Sequence, residues 1–186
     1  SPIYLVGDST ADAMSDGVLD VALQTGRPLD LGGIPGCPFA HGPWYNEYDC
    51  QTQYNRAMKY LESSTPGTVL ISNLNNHYRQ NQIPDALADE AGGRPPTDLL
   101  MERLLKTVRS LRDRGHEVIL VQAAPDFSGQ GGFEVADCSL ARLAINGCIY
   151  SPDHQRAPRR GSEEKQRSER QAIEVVAKDA GIGVID

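Results

Sequence analysis

The chain has 186 residues, 39% hydrophobic and 23% charged, enough for one domain with a full core and short for two. No apolar run approaches the ~20 residues that span a bilayer. Its net charge of −7 disfavours a nucleic-acid duplex as partner, because such a surface needs clustered Lys and Arg to displace counterions. The one basic cluster, Arg156, Arg159, Arg160 and Lys165, is diluted at once by the acids of "GSEEKQRSER" and reads as a solvated loop and helix surface.

In chain order, five short apolar runs are bounded by turn residues and read as strands: "IYLV" (3–6), "PLDL" (28–31), "TVLIS" (68–72), "EVILVQ" (117–122) and "GVI" (183–185). The chain begins at Ser1 on the threshold of the first strand without a Met or a leader, as a mature or excised domain would. Helical stretches lie between the strands. Residues 11–25 follow the first, and "QTQYNRAMKYLESS" (51–64) precedes the third. Residues 97–115 carry the clearest stripe, Leu100, Leu104, Val108 and Leu111, with Thr97 as expected cap and Gly115 as stop. Residues 162–181 have a Ser162 cap, an acidic first turn and a Gly181 stop. This β-α alternation predicts an α/β fold, a five-stranded mainly parallel sheet with helices on both faces. Long irregular loops, 32–50, 73–96 and 123–161, leave the carboxyl ends of strands two, three and four, where open α/β sheets build their sites.

The four cysteines contain no C-x-x-C pair and no His at zinc-finger spacing, which argues against structural zinc. Of three possible connectivities, two short local loops favour Cys37–Cys50 with Cys138–Cys148 and an oxidising location; the alternative is buried free thiols in a cytosolic protein.

Three stretches gather at strand ends. In "YLVGDSTADAM", Ser9 stands where the first strand meets the first helix, either as a nucleophile beside a helix N-terminus or as part of its cap with Asp8. The glycines of "LDLGGIPGCPF" either shape a turn or let the backbone approach a ligand. The asparagines of "LISNLNNHY", Asn73, Asn75 and Asn76, either form a turn or aim an amide at a developing oxyanion, and chemistry alone does not separate them. No phosphate-loop or dinucleotide glycine pattern follows the first strand.

Together these stretches resemble the SGNH hydrolases, a flavodoxin-like, three-layer esterase superfamily. "GDS" resembles its first block and implies Ser9 as nucleophile. "GIPG" resembles the second and implies Gly36 as an oxyanion N–H donor, with Gly33 as the alternative. "NLNN" stands in place of the third, G-x-N-D, which carries the oxyanion amide onto Asn75 with departures at Asn73 and Asn76. A narrower resemblance is to the extracytoplasmic SGNH domains attached to membrane O-acyltransferases of bacterial surface polysaccharides. Those carry a Cys-Pro after strand two with a later Cys, a Cys pair in the loop after strand four and an aromatic after the third block. Here these are "GCPF" with Cys50, Cys138 with Cys148, and Tyr78.

The superfamily draws its base from a late D-x-x-H, and none follows "GIGVID". The expectation is a single domain over residues 1–186 that lacks its C-terminal D-x-x-H segment, or a domain without a triad. His77 and His41 are the substitute candidates; His116 falls at the opposite rim, and His154 has Asp153 only as its adjacent residue. Trp44, Tyr45 and Tyr48 in "HGPWYNEY" either stack on a sugar or pack as a mini-core beside the disulfide. Asp12 is a second rim polar group or an exposed first-turn acid. The resemblance implies Ser-dependent acyl transfer on a carbohydrate, as an O-acetyltransferase domain of a larger membrane protein, with acyl donor and polysaccharide acceptor as partners and without metal or other cofactor. An O-acetyl esterase, a non-catalytic carbohydrate-binding or docking domain, and a flavodoxin-like cofactor binder are the alternatives.

Overall fold

The computed structural model describes residues 1–44, 49–73, 85–122, 167 and 170–185. The chain divides into two compact units, Ser1–Ala123 with Glu169–Asp186, and Ala124–Ser168. Every described residue except Arg167 belongs to the first unit.

The order of elements in that unit is β1 (Ile3–Gly7), α1 (Ser9–Thr25), β2 (Leu29–Gly33), α2 (Cys50–Ser63), β3 (Thr68–Ser72), α3 (Asp85–Ala91), α4 (Pro96–Asp113), β4 (Glu117–Val121), helix α5 through residues 170–180, and β5 (Gly183–Ile185). The strands form one parallel sheet in the order β2-β1-β3-β4-β5. This is the flavodoxin-like order, whose reversal point lies between β1 and β3. The expected α/β architecture is therefore present.

Both faces of the sheet are covered, which is why β1 reads "IYLVG" with all five residues buried rather than alternating. On one face Ile3 and Leu5 pack against Ala11, Val18 and Ala22 of α1, whose small side chains let the helix lie close. On the other, Tyr4, Val6, Val69, Ile71, Val118 and Leu120 meet Met58 and Leu61 of α2, the α4 stripe Leu100, Leu104, Val108 and Leu111, and Ile173, Val176 and Ala177 of α5. Gly26 ends α1 in the left-handed region (φ 64°), giving its N–H to the carbonyls of Ala22 and Leu23.

Three expectations change. β2 runs to Gly33 rather than ending at Leu31. A short helix, α3, lies inside the stretch expected as a loop over 73–96. Thr97 is not the cap of α4: Pro95 occupies that position without a side-chain bond, and Pro96 begins the helix, where its missing N–H costs nothing.

Candidate functional site

Gly33, Gly7, Ser72, Val121 and Ile185 share one register row, so all five strands stop at the same level. The chain leaving this row stays stitched to it. Ile34 N donates to Gly7 O (2.8 Å) and Asp8 N to Ser72 O (3.2 Å). Gly7 adopts φ +148°, and a Cβ there would stand 1.7 Å from Ser72 O, so the approach of β1 to β3 at the reversal point requires glycine.

The cap of α1 is Asp8, not Ser9. The buried Asp8 carboxylate accepts Thr10 N (2.9 Å) and Thr10 Oγ1 (2.8 Å). With the Thr10 hydroxyl proton committed to Asp8, the 3.0 Å contact between Thr10 Oγ1 and Ser72 Oγ has Ser72 as donor. A relay Ser72–Thr10–Asp8 thus locks the end of β3 to the first turn of α1. Ser9 is left exposed on that turn, and its Oγ makes no hydrogen bond among the described residues. It sits where the unpaired N–H groups of a helix start favour negative charge.

The loop after β2 is held at four points. Ile34-Pro35-Gly36-Cys37 closes with Cys37 N donating to Ile34 O (3.0 Å) and Gly36 at φ 78°, the Pro-Gly signature of a type II turn. That backbone requirement accounts for Gly36, whatever its N–H does. Cys37 is disulfide-bonded to Cys50, the first residue of α2 (Cα–Cα 5.2 Å), as expected. Phe39 N donates to Asn73 Oδ1 (2.9 Å). Further along, Arg103 of α4, only 8% exposed, donates to His41 O (2.8 Å), pairs with Glu90 and lies 5.5 Å over the Trp44 ring.

Trp44 is fully buried with its indole N–H given to Ala40 O (2.8 Å), so it belongs to the mini-core rather than offering a ring to a sugar. His41 is exposed but stands edge-on to Tyr54 with ring centroids 5.7 Å apart; partial desolvation, then the Arg103 charge, lowers its pKa below the ordinary histidine value. The hydrogen bond from Arg103 likewise lowers the Glu90 carboxyl. His116 is buried at the start of β4, the opposite rim, accepting Gly67 N at Nδ1 (3.3 Å) with Nε2 against Leu61 O (3.1 Å). Asp12 is an exposed acid one turn into α1; a Cβ on Gly33 would stand 2.0 Å from its Oδ1, so α1 and the end of β2 nearly touch. Asn75, Asn76, His77, Tyr78, Tyr45, Tyr48, Cys138, Cys148 and His154 lie outside the described residues. Among the described residues, no three His, Cys, Asp or Glu come together as metal ligands would.

Two anchors escape a sequence reading. Arg103 falls three residues after Leu100 and four before Thr107, on the buried stripe of α4, and a charge at a core position is a visible signal. Asn73 offers no such mark, because a polar residue ending a strand is ordinary.

The whole chain, residues 1–186, matches the family described as SGNH domain (fused to AT3 domains). Among solved structures, the periplasmic domain of a lipopolysaccharide acetyltransferase from Salmonella ser. Paratyphi A is similar in fold, with a TM-score of 0.56 at 12% identity. The alignment covers 99% of this chain and 65% of that one. No curated protein matches the sequence. The match runs along the full length, and the chain belongs to the family described as SGNH domain (fused to AT3 domains).

Proposed function

We propose that this domain carries out Ser9-dependent acyl transfer to a carbohydrate hydroxyl, most specifically O-acetylation of a surface polysaccharide on the extracytoplasmic side, as part of a larger membrane acyltransferase. The observation that carries this reading is the division of labour at the start of α1: Asp8 does the capping, and the Ser9 hydroxyl is exposed and makes no hydrogen bond among the described residues. The disulfide Cys37–Cys50 supports an oxidising location, and the acetyltransferase periplasmic domain of similar fold supports the reaction class.

In this mechanism Ser9 Oγ attacks the donor's carbonyl carbon while a base takes its proton. The Ser9 N–H, the Gly36 N–H and the Asn75 amide hold the oxyanion. The donor's C–O or C–S bond then breaks and the leaving group receives that proton. In the second half the sugar hydroxyl gives its proton to the same base and attacks the acyl-serine, restoring Ser9. The resemblance implies a histidine of a D-x-x-H motif as the base, with His77 and His41 as the alternatives within residues 1–186. Water as acceptor would make the same site an esterase.

A second reading, a carbohydrate-binding or docking domain without chemistry, draws on the placement of the histidines: His116 is committed to the far rim and His41 lies against Tyr54. The deciding experiment compares aryl-acetate hydrolysis by the natural full-length polypeptide, its Ser9→Ala variant and the 186-residue chain. Activity in the full-length protein that vanishes in Ser9→Ala supports the enzyme, and its loss from the short chain places the base beyond Asp186. Equal activity in the short chain directs attention to His77 and His41. Hydrolysis indifferent to Ser9→Ala overturns the mechanism.

A further inference from the structure

Two neighbouring strand ends each bury an amide with one unmatched atom. Asn73 follows Ser72 of β3 and Gln122 follows Val121 of β4, and those two are register partners. Asn73 is 3% exposed and Gln122 7%.

Backbone groups fix how both amides point. The Phe39 N–H is received only by an oxygen, so Asn73 Oδ1 faces the loop and Nδ2 turns away from it. The Arg170 carbonyl only accepts, so Gln122 offers it Nε2 (3.4 Å) and Oε1 turns elsewhere. Among the described residues, Asn73 Nδ2 and Gln122 Oε1 make no hydrogen bond. Buried polar atoms in folded proteins are almost always satisfied, so each of these calls for a partner. Phe39 and Arg170 belong to the face covered by α2, α4 and α5, so both amides lie on that side of the sheet. Neighbouring strands run about 4.8 Å apart, a gap that one oxygen spans with two ordinary hydrogen bonds.

We propose that Asn73 and Gln122 form a notch for a single hydroxyl group, whose oxygen accepts from Asn73 Nδ2 and whose hydrogen goes to Gln122 Oε1. A donor beside an acceptor selects an alcohol over ions. A carboxylate would face Oε1 without a proton to give, and an ammonium would face Nδ2 without a lone pair. The hydroxyl is that of a bound water or of a ligand, and in the second case, resting on the function proposed above, it belongs to the sugar.

The test is a double-mutant cycle on thermal unfolding with Asn73→Ala, Gln122→Met and the pair, without ligand and with methyl α-D-glucoside. Groups that share one hydroxyl are coupled, because losing either already forfeits the bridge. For a bound water, the Tm loss of the double variant falls short of the summed single losses by about 3 °C in the free protein. For a ligand hydroxyl, the free protein gives additive losses, the same shortfall emerges with the glucoside, and each single variant loses the glucoside's stabilising shift. Additive losses under both conditions overturn the notch. If Asn73→Ala does not fold, Asn73→Asp replaces it, keeping the acceptor for Phe39 N–H while deleting the donor. Neither readout needs catalysis, so an inactive Ser9 leaves the test intact.

Discussion

Removing the Cys37–Cys50 bridge by the double substitution Cys37→Ala/Cys50→Ala tests how the loop after β2 is held. The two cysteines are 13 residues apart in sequence and both are buried. A cross-link closing a loop of this length removes about 3 kcal/mol of denatured-state entropy. For a chain of this size that corresponds to a fall in Tm of about 6–12 °C. Substituting both residues avoids leaving an unpaired thiol, and it leaves Cys138 and Cys148 untouched, which a reductant would not. The assay is equilibrium urea unfolding, with the slope compared between variant and parent so that a more expanded denatured state is recognised. Amide exchange should quicken across residues 34–44, since the bridge ties the Gly36 turn to the start of α2. A stability change under about 1 kcal/mol with an unchanged slope would refute the reasoning. It would mean that the Phe39–Asn73 and Arg103–His41 bonds hold the loop without help.

Two glycines should respond in opposite senses to alanine. Gly7→Ala drives a Cβ into Ser72 O at a positive φ and should cost at least about 3 kcal/mol or prevent folding. Gly17→Ala, inside α1 with nothing within 4 Å of the new methyl, should stabilise by up to about 1 kcal/mol in the same unfolding assay. His41 should titrate below the ordinary value of about 6.5 when followed by imidazole NMR. Because the folded pKa is the lower one, its contribution to stability is complete above pH ~6.5 and is lost as pH falls below that. Arg103→Met should move the His41 midpoint back up only in part, because partial desolvation is the larger cause and stays. A midpoint at or above 6.5 in the parent protein contradicts the packing of His41 against Tyr54.

The middle of the sheet was legible because its strands write their own burial: "IYLV" and "TVLIS" are apolar on both faces, as only strands beneath two helical layers need to be. The α4 stripe was legible for the same reason, its period being that of a helix against one surface. Boundaries were less so. Gly32 and Gly33 looked like loop, yet they pair with Val6 and Gly7 as the last steps of β2. Of the site, the GDS stretch located Ser9 but left its role open, because both Asp and Ser cap helices; the bond from Thr10 N to Asp8 Oδ1 decides which one does. Trp44 shows the limit of composition. An aromatic in a polar loop suits a sugar platform equally well, and only the guanidinium lying over it and the carbonyl taking its N–H reveal a packing role. Asn73 was one of three asparagines whose chemistry is identical. It is distinguished by meeting a backbone N–H from a segment 34 residues away in sequence, information that no local pattern contains.

An all-parallel sheet also constrains the order in which the molecule can assemble. Among the described residues, no strand has a hairpin neighbour. Ile3 must wait for Leu29 on one side and for Thr68 on the other, and β4 has its outer partner only when Gly183 arrives. Such distant pairings make folding slow, and while they are pending the backbone edges of β1 and β4 stay open. The β1–α1–β2 unit is the earliest piece that can close on itself, with Ala11, Val18 and Ala22 sealing one side of Ile3 and Leu5. A nascent chain would therefore carry the serine-bearing helix in place well before β3, its neighbour across the reversal point, is complete.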